Sequence, residues 1–219
     1  MIKLLKGFNG QKMGLLGAKL GHSFSPVIHR KLADYSYELY EVSRDNLANF
    51  LNKRDFDGLN VTIPYKKDVM KFLDGIDSKA QAIGAVNTIE NEGGRLTGYN
   101  TDYDGFLYLL RKNNIAVKGK KVIVLGNGGA AAAVREVLKA EGAGETVTIS
   151  RRGENNYKNI AEHDDAEIIV NTTPVGMYPN NGESLLDLKR FNKAEAVADL
   201  IYNPLRTQLV LEALDLGIK

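Results

Sequence analysis

Short β-branched apolar runs alternate with amphipathic stretches along most of the chain. MGLLG (13–17) precedes a helical pattern in SPVIHRKLADY (25–35), YELYEV (37–42) precedes another in RDNLANFLNKR (44–54), and GLNVTI (58–63) closes the series. This strand–helix–strand rhythm predicts a mostly parallel sheet with helices on its faces. A second series follows: VIVLG (122–126), an Ala-rich helix, TVTISRR (146–152), EIIVNTT (167–173) and AVADLIY (196–202). Between the two lies GRLTGYNTDYDGFLYLLRKNNIAVKG, where Asp104 is suited to open a helix carrying Phe106, Leu107 and Leu110 that runs toward Asn113 and Asn114. The junction is expected at that helix, giving two α/β domains over 1–103 and 104–219. No internal repeat or low-complexity segment interrupts them.

Composition narrows the function. The length of 219 residues suits one large α/β domain or two smaller ones. With 29 Lys+Arg against 27 Asp+Glu the net charge is +2, which gives no electrostatic case for nucleic acid or an anionic membrane and points to a small-molecule partner. The absence of cysteine excludes a disulfide scaffold and a thiolate zinc site. The three histidines lack H-x-x-x-H spacing, so no catalytic metal is expected. No apolar run approaches the ~18 residues of a membrane span, and the opening MIKLLKGFNGQKMG lacks the pattern of a secretory signal. A cytoplasmic protein is expected.

The segment KKVIVLGNGGAAAAVREVLKAEGA places a strand, a Gly-rich turn and a helix in order. Gly126 and Gly128 fill the first two glycine positions of G-x-G-x-x-G/A, and Ala131 fills the third, where a small residue lets helix and strand pack closely. The amides at the helix start would face a pyrophosphate, whose charge suits the positive end of the helix dipole. An ordinary strand-to-helix turn carries the same glycines; the strand-turn-helix context favours a nucleotide. The following strand ends in Ser150-Arg151-Arg152. NAD sites commonly carry an acidic residue there, whereas guanidinium and hydroxyl groups suit the 2′-phosphate of NADP, so NADP is favoured over NAD although Glu154 is near.

In the first half, GHSFSP sets Ser23 and Ser25 at alternate positions ahead of Pro26. In an extended segment their hydroxyls would point the same way, onto one ligand; helix capping by Ser25 is the simpler alternative. LNVTIPYKK, IGAVNT and GYNTDYDG likewise put Asn, Thr, Lys or Asp where an apolar run ends. Ends of parallel strands are where α/β proteins build sites.

Taken together, GHSFSP, LNVTIPYKK, IGAVNT, GYNTD, VLGNGGAAAA, NTTPVGM and DLIYNPLRTQL, in that order over most of the chain, resemble the shikimate dehydrogenase family. The resemblance implies an N-terminal substrate domain, a C-terminal Rossmann-like NADP-binding domain, and an active site in the cleft between them. It implies reversible NADPH-dependent reduction of 3-dehydroshikimate to shikimate, on the route to chorismate and the aromatic amino acids, by a monomer or homodimer. Ser23 and Ser25 correspond to the residues that bind the substrate carboxylate, and Thr62, Asn87 and Asp102 to those that bind ring hydroxyls. Lys66 and Asp102 correspond to the catalytic pair. Asn127, Gly128, Gly129 and Ala130 match the pyrophosphate loop, and Ser150, Arg151 and Arg152 the adenosine-phosphate segment, where the family commonly has Asn-Arg-Thr. Thr172 and Met177 would lie along the cofactor, Leu200 near the nicotinamide, and Tyr202 would close on the substrate.

The chemistry fits those residue types independently. Hydride transfer to a ketone makes an alkoxide, so the site needs a proton donor and a positive charge beside that oxygen. Lysine supplies both. As a base for the reverse oxidation it must first lose its proton, so oxidation should gain from alkaline pH; Asp102 acting alone, or a titration shared by the pair, is the alternative. Lys67 is expected to be solvated, and Asp102 could also serve as a helix cap.

Family members typically continue past LEALDLGIK through a glycine-containing loop and a final helix bearing a substrate-contacting glutamine, so the resemblance leaves apolar surface on the substrate domain to be covered. Three other readings compete. One is a quinate or quinate/shikimate dehydrogenase using NAD, against which the second serine of the pair speaks. Another is a truncated NADP-binding paralogue without turnover, against which Lys66, Asp102 and Asn87 speak. A two-domain dehydrogenase of one-carbon metabolism fits the ordered segments poorly.

Overall fold

The computed structural model describes residues 7–21 and 23–219. His22, within GHSFSP, and residues 1–6 lie outside the described ones. The chain divides into two compact units, one ending at Thr101 and the other spanning Asp102–Lys219.

In the first unit the strands β1 (Lys12–Gly17), β2 (Ser36–Glu41), β3 (Gly58–Val61), β4 (Gly75–Ile76), β5 (Thr88–Glu92) and β6 (Arg95–Tyr99) form one sheet in the order β2-β1-β3-β5-β6-β4. Pairing is parallel for β1 with β2 and β3 and for β4 with β6, but antiparallel on both sides of β5. Only β5 therefore runs against the rest. Its reversal is made by Gly93 and Gly94, whose φ of 58° and 89° are what a tight two-residue hairpin turn requires of both central residues. The apolar-run reading of the sequence passed over this hairpin, because TIENE and RLTGY carry too much polarity to stand out. The Gly-Gly pair was the available signal.

One face of this sheet builds the core. Leu16, Leu59, Val61, Ile89 and Leu96 alternate inward and pack against Leu47 and Leu51 around α2 (Leu47–Lys53), Tyr65, Val69, and Ala80 of α3 (Ser78–Ile83). The other face carries Met13, Tyr37, Asn60, Thr88 and Tyr99 in register across the strands. There α1 (Ser25–Leu32) lays His29 on the Tyr37 ring, with centroids 3.8 Å apart and planes at 15°. A groove of about 560 Å³ opens over this face, lined by aromatic and acidic side chains that include Tyr35, Tyr37, Tyr99, Asp57 and Glu90.

The second unit has β7 (Lys121–Leu125), β8 (Glu145–Ile149), β9 (Ile168–Asn171) and β10 (Ala196–Asp199), all parallel, in the order β10-β9-β7-β8. Its central strands β7 and β9 read as apolar runs because both faces are covered. Val122, Val124, Ile168 and Val170 join Val134 and Val137 of α5 (Gly129–Ala140), while Ile123, Leu125, Ile149 and Ile169 join Leu209 and Ala213 of α6 (Gln208–Asp215). The helix expected from Asp104, α4, spans Thr101–Lys112 and so starts three residues earlier. The cause is a tertiary acceptor: Asn87 Oδ1 takes the Thr101 N–H at 2.9 Å, satisfying a donor that a helix start leaves without a partner.

Candidate functional site

Strand β3 leaves the sheet at the segment that carries the candidate chemistry. The Thr62 N–H still donates to the Leu16 carbonyl at 3.0 Å, after which Tyr65 N–H closes a turn onto the Thr62 carbonyl at 3.0 Å. Pro64, lacking an N–H, sits inside that turn, where it interrupts no ladder bond. A Cβ at Gly17 would stand 2.9 Å from Thr62 Cγ2 and 2.6 Å from Leu20 Cδ2, so a glycine is what lets Thr62 close over the end of β1. The Lys66 carbonyl accepts the Val86 N–H at 2.7 Å, and the buried Tyr65 phenol donates to the Val42 carbonyl at 2.6 Å. Two anchors on adjacent residues fix the backbone from which the half-buried Lys66 projects, whereas Lys67 is exposed.

The serine pair is arranged differently from the sequence expectation. Phe24 has helical dihedrals (φ −83°, ψ −6°) and Ser25 is already the first residue of α1, so no extended segment joins them. Instead Ser23 Oγ accepts the Ser25 N–H at 3.2 Å, a hydroxyl-closed turn just ahead of the helix. The N-cap position is Phe24, without a side-chain cap, so Ser25 does not cap the helix. Accepting occupies a lone pair and leaves the Ser23 hydroxyl hydrogen as a donor. The preceding loop is held by the Glu41 carboxylate, which accepts the Leu20 N–H at 2.6 Å, and by the Ser23 N–H on the Leu20 carbonyl at 2.9 Å.

Asn87 is buried at 8 % exposure and acts as a hub. Its Oδ1 accepts from Thr101 N–H and from Thr88 Oγ1 at 3.0 Å, and its Nδ2 lies 3.1 Å from Thr101 Oγ1. Its second carboxamide hydrogen takes no part in these bonds. Asp102 is the second residue of α4 and half-buried, in the first turn where the helix dipole favours a carboxylate; the cap contact itself is made by Asn87.

In the second unit the remaining candidates lie on the segments that follow the strands' carboxyl ends. Gly126 follows β7 with φ 104°, and a Cβ there would meet Thr172 Oγ1 at 2.7 Å. Its N–H donates to the Ile149 carbonyl at 2.8 Å, while Thr172 Oγ1 donates to the Leu125 carbonyl at 2.6 Å. The turn is thus braced by β8 on one side and the loop after β9 on the other. Gly128 precedes α5 without a side-chain cap, and the first bond back along the helix comes from Ala132 N–H to the Gly128 carbonyl. The amides of Gly129 and Ala130 therefore lie in the first turn, at the positive end of the helix dipole. Ala131 is fully buried against the sheet, as its place in the glycine pattern requires.

After β8, Ser150 N–H donates to the Asn155 carbonyl at 3.1 Å and the Ser150 carbonyl accepts from Gly153 N–H at 3.3 Å, leaving Arg151 and Arg152 exposed at the tip of the turn. Burial raises the Tyr157 phenol, and the charge of the neighbouring Arg151 offsets part of that rise. Met177 and Tyr202 are exposed on the loops after β9 and β10, and Leu200 packs against the sheet core.

Sequence reasoning missed the groups that hold these loops. Asp199, Asn171 and Thr207 form one polar cluster below Thr172 and Leu200, and Asn100 fixes the Ala85 carbonyl at 2.8 Å. Each sits inside a quoted motif, yet nothing local distinguishes an inward polar side chain from one facing a ligand. Among the described residues no group of three or more His, Cys, Asp or Glu is placed to hold a metal ion. No described helix is long and apolar enough to cross a membrane.

This arrangement has close counterparts. Residues 15–89 match the family described as the shikimate dehydrogenase substrate binding domain. A curated protein from Clostridium beijerinckii, "Shikimate dehydrogenase (NADP(+))", is 40% identical over 217 residues, covering 90% of this chain and 80% of the relative. Among solved structures, a chorismate mutase/shikimate 5-dehydrogenase fusion protein from Clostridium acetobutylicum superposes with a TM-score of 0.88 at 38% identity, over 96% of this chain and 84% of that one. Shikimate 5-dehydrogenase from Thermus thermophilus in complex with NADP(H) and shikimate gives 0.82 at 33% identity, over 95% and 85%. Agreement of this extent across both units leaves one assignment: the chain belongs to the shikimate dehydrogenase family.

Proposed function

We propose that the chain catalyses the reversible NADPH-dependent reduction of 3-dehydroshikimate to shikimate, the step that leads toward chorismate. The observation that carries this is the 40% identity to a curated NADP-dependent shikimate dehydrogenase over 90% of the chain. The anchored Lys66, the Asn87 hub and the glycine turn of β7 support it as chemistry.

In the reducing direction a bound NADPH would supply the hydride that reduces the carbonyl carbon, and Lys66 would give a proton to the carbonyl oxygen as the π electrons move onto it. A positive donor at the developing oxyanion lowers the barrier in both roles, as charge and as acid. Asp102 is its proposed partner and binds a ring hydroxyl. Ser23 and Ser25 donate to the substrate carboxylate, Thr62 and Asn87 to ring hydroxyls, and Tyr202 closes on the ring. Gly126 to Ala130 receive the pyrophosphate, Ser150, Arg151 and Arg152 the 2′-phosphate, and Thr172, Met177 and Leu200 the nicotinamide half. Domain roles follow: substrate in the first unit, dinucleotide in the second. The enzyme works as a monomer or homodimer in a reducing cytoplasm, with which a chain lacking cysteine is compatible.

The test crosses shikimate and quinate with NADP and NAD, following nicotinamide absorbance, for the chain and for Lys66→Ala. The expected result is turnover greatest with shikimate and NADP, and a fall of about 10²–10⁴ in kcat for Lys66→Ala with NADP binding retained. Absence of turnover with either substrate would overturn the reading, as would an unchanged kcat in the variant.

A further inference from the structure

The carboxylate of Asp199 gathers donors from three directions. Its Oδ1 accepts the Ile201 N–H at 2.9 Å and Asn171 Nδ2 at 3.1 Å; its Oδ2 accepts Thr207 Oγ1 at 2.7 Å and Asn171 Nδ2 at 3.2 Å. Asn171 and Thr207 are each 1 % exposed, so water does not stand in for these bonds. Asn171 passes the constraint on: its Oδ1 accepts Thr173 N–H at 3.0 Å and Thr173 Oγ1 at 2.8 Å. Thr207 is the N-cap of α6.

The same two loops are tied directly as well. Leu200 N–H donates to the Asn171 carbonyl at 3.1 Å, and Tyr178 N–H donates to the Asn203 carbonyl at 3.0 Å. Gly176 lies under Thr207, where an added Cβ would come within 3.4 Å of Thr207 Cβ. The loop bearing Thr172 and Met177 and the loop bearing Leu200 and Tyr202 are therefore one body, pinned at its base by a single carboxylate. The turn of Ser150 to Arg152 follows β8, at the opposite edge of the sheet from β10.

We infer that Asp199 is a positioning residue for the nicotinamide half of the dinucleotide, setting the two loops after β9 and β10 as a unit while leaving the adenosine half untouched. This rests on the cofactor reading above. A group that merely stabilised the unit would weaken both halves alike; a group that aims two loops weakens only the half they contact.

The experiment compares binding of NADPH with that of adenosine 2′,5′-bisphosphate, which carries only the adenosine-side contacts, in the unmodified chain, Asp199→Asn and Asp199→Ala. Asp199→Asn keeps the shape but turns an amide N–H toward donors, so a folded protein is expected where Asp199→Ala fails. The expected result for Asp199→Asn is about tenfold weaker NADPH binding with bisphosphate binding within about twofold, the pattern of a few lost hydrogen bonds on one side of a ligand. Equal weakening of both ligands, or none for NADPH, would overturn the inference. Failure of the unmodified chain to bind either ligand would overturn the cofactor reading itself and the inference with it.

Discussion

Replacing Asn87 separates two jobs that the structure gives to one side chain. In Asn87→Ala, Thr101 N–H loses the acceptor that starts α4, Thr88 Oγ1 loses its acceptor, and Thr101 Oγ1 loses a partner. Losing a helix N-terminal acceptor costs ~1 kcal/mol and each further neutral hydrogen bond ~0.5–1.5 kcal/mol. Because Thr101 is exposed and water replaces part of this, the sum is about 2–3 kcal/mol. Asn87→Asp behaves otherwise. A carboxylate keeps both acceptor roles, and the Thr101 hydroxyl, 3.2 Å from Oδ1, turns to donate. The new charge faces the positive end of α4, which contributes ~0.3–1 kcal/mol in its favour. Stability should then stay within about 1 kcal/mol of the parent. Both variants lose the Nδ2 donor proposed for a substrate hydroxyl, so both should lose at least about tenfold in kcat/KM for shikimate. Urea unfolding followed by circular dichroism measures the first effect, since the chain has no tryptophan, and initial rates measure the second. If Asn87→Asp is destabilised as much as Asn87→Ala, the acceptor account of Asn87 is wrong.

Three further outcomes follow from the same geometry. Gly126→Ala sets a Cβ 2.7 Å from Thr172 Oγ1 at a φ of 104°; strain and overpacking together cost about 2–4 kcal/mol, and NADPH titration should show a loss of at least tenfold. Arg151→Ala should raise KM for NADP by about tenfold or more while leaving KM for NAD within about twofold, since the guanidinium is assigned to the 2′-phosphate; a parallel change for both cofactors would refute that assignment. Glu41→Ala frees the Leu20 N–H anchor ahead of Ser23, and should raise KM for shikimate about three- to tenfold with kcat nearly unchanged; steady-state kinetics with an unaltered KM would show that the loop holds itself.

The parallel runs of both units, the glycine turn and its helix, and the basic end of β8 were legible because each is set by local pattern: period, turn chemistry and charge over ten to twenty residues. The serines of GHSFSP were singled out by their alternation. Alternation assumed an extended backbone, and the chain instead closed a hydroxyl turn at the helix start. The helix start at Thr101 was misplaced because its acceptor comes from Asn87, 14 residues away just ahead of β5.

What the sequence determined by itself is most of the elements, the hairpin of β5 and β6 excepted, and the residue types at the strand ends. The tertiary structure alone decided which of those polar groups hold the scaffold. Asp199 and Asn171 lie 28 residues apart and meet because β9 and β10 pair in parallel, carboxyl end beside carboxyl end. A polar side chain at such an end faces either a ligand or another loop, and only the packing of neighbouring strands settles which. Burial then makes the choice binding, because a donor enclosed away from water must keep the partner it finds.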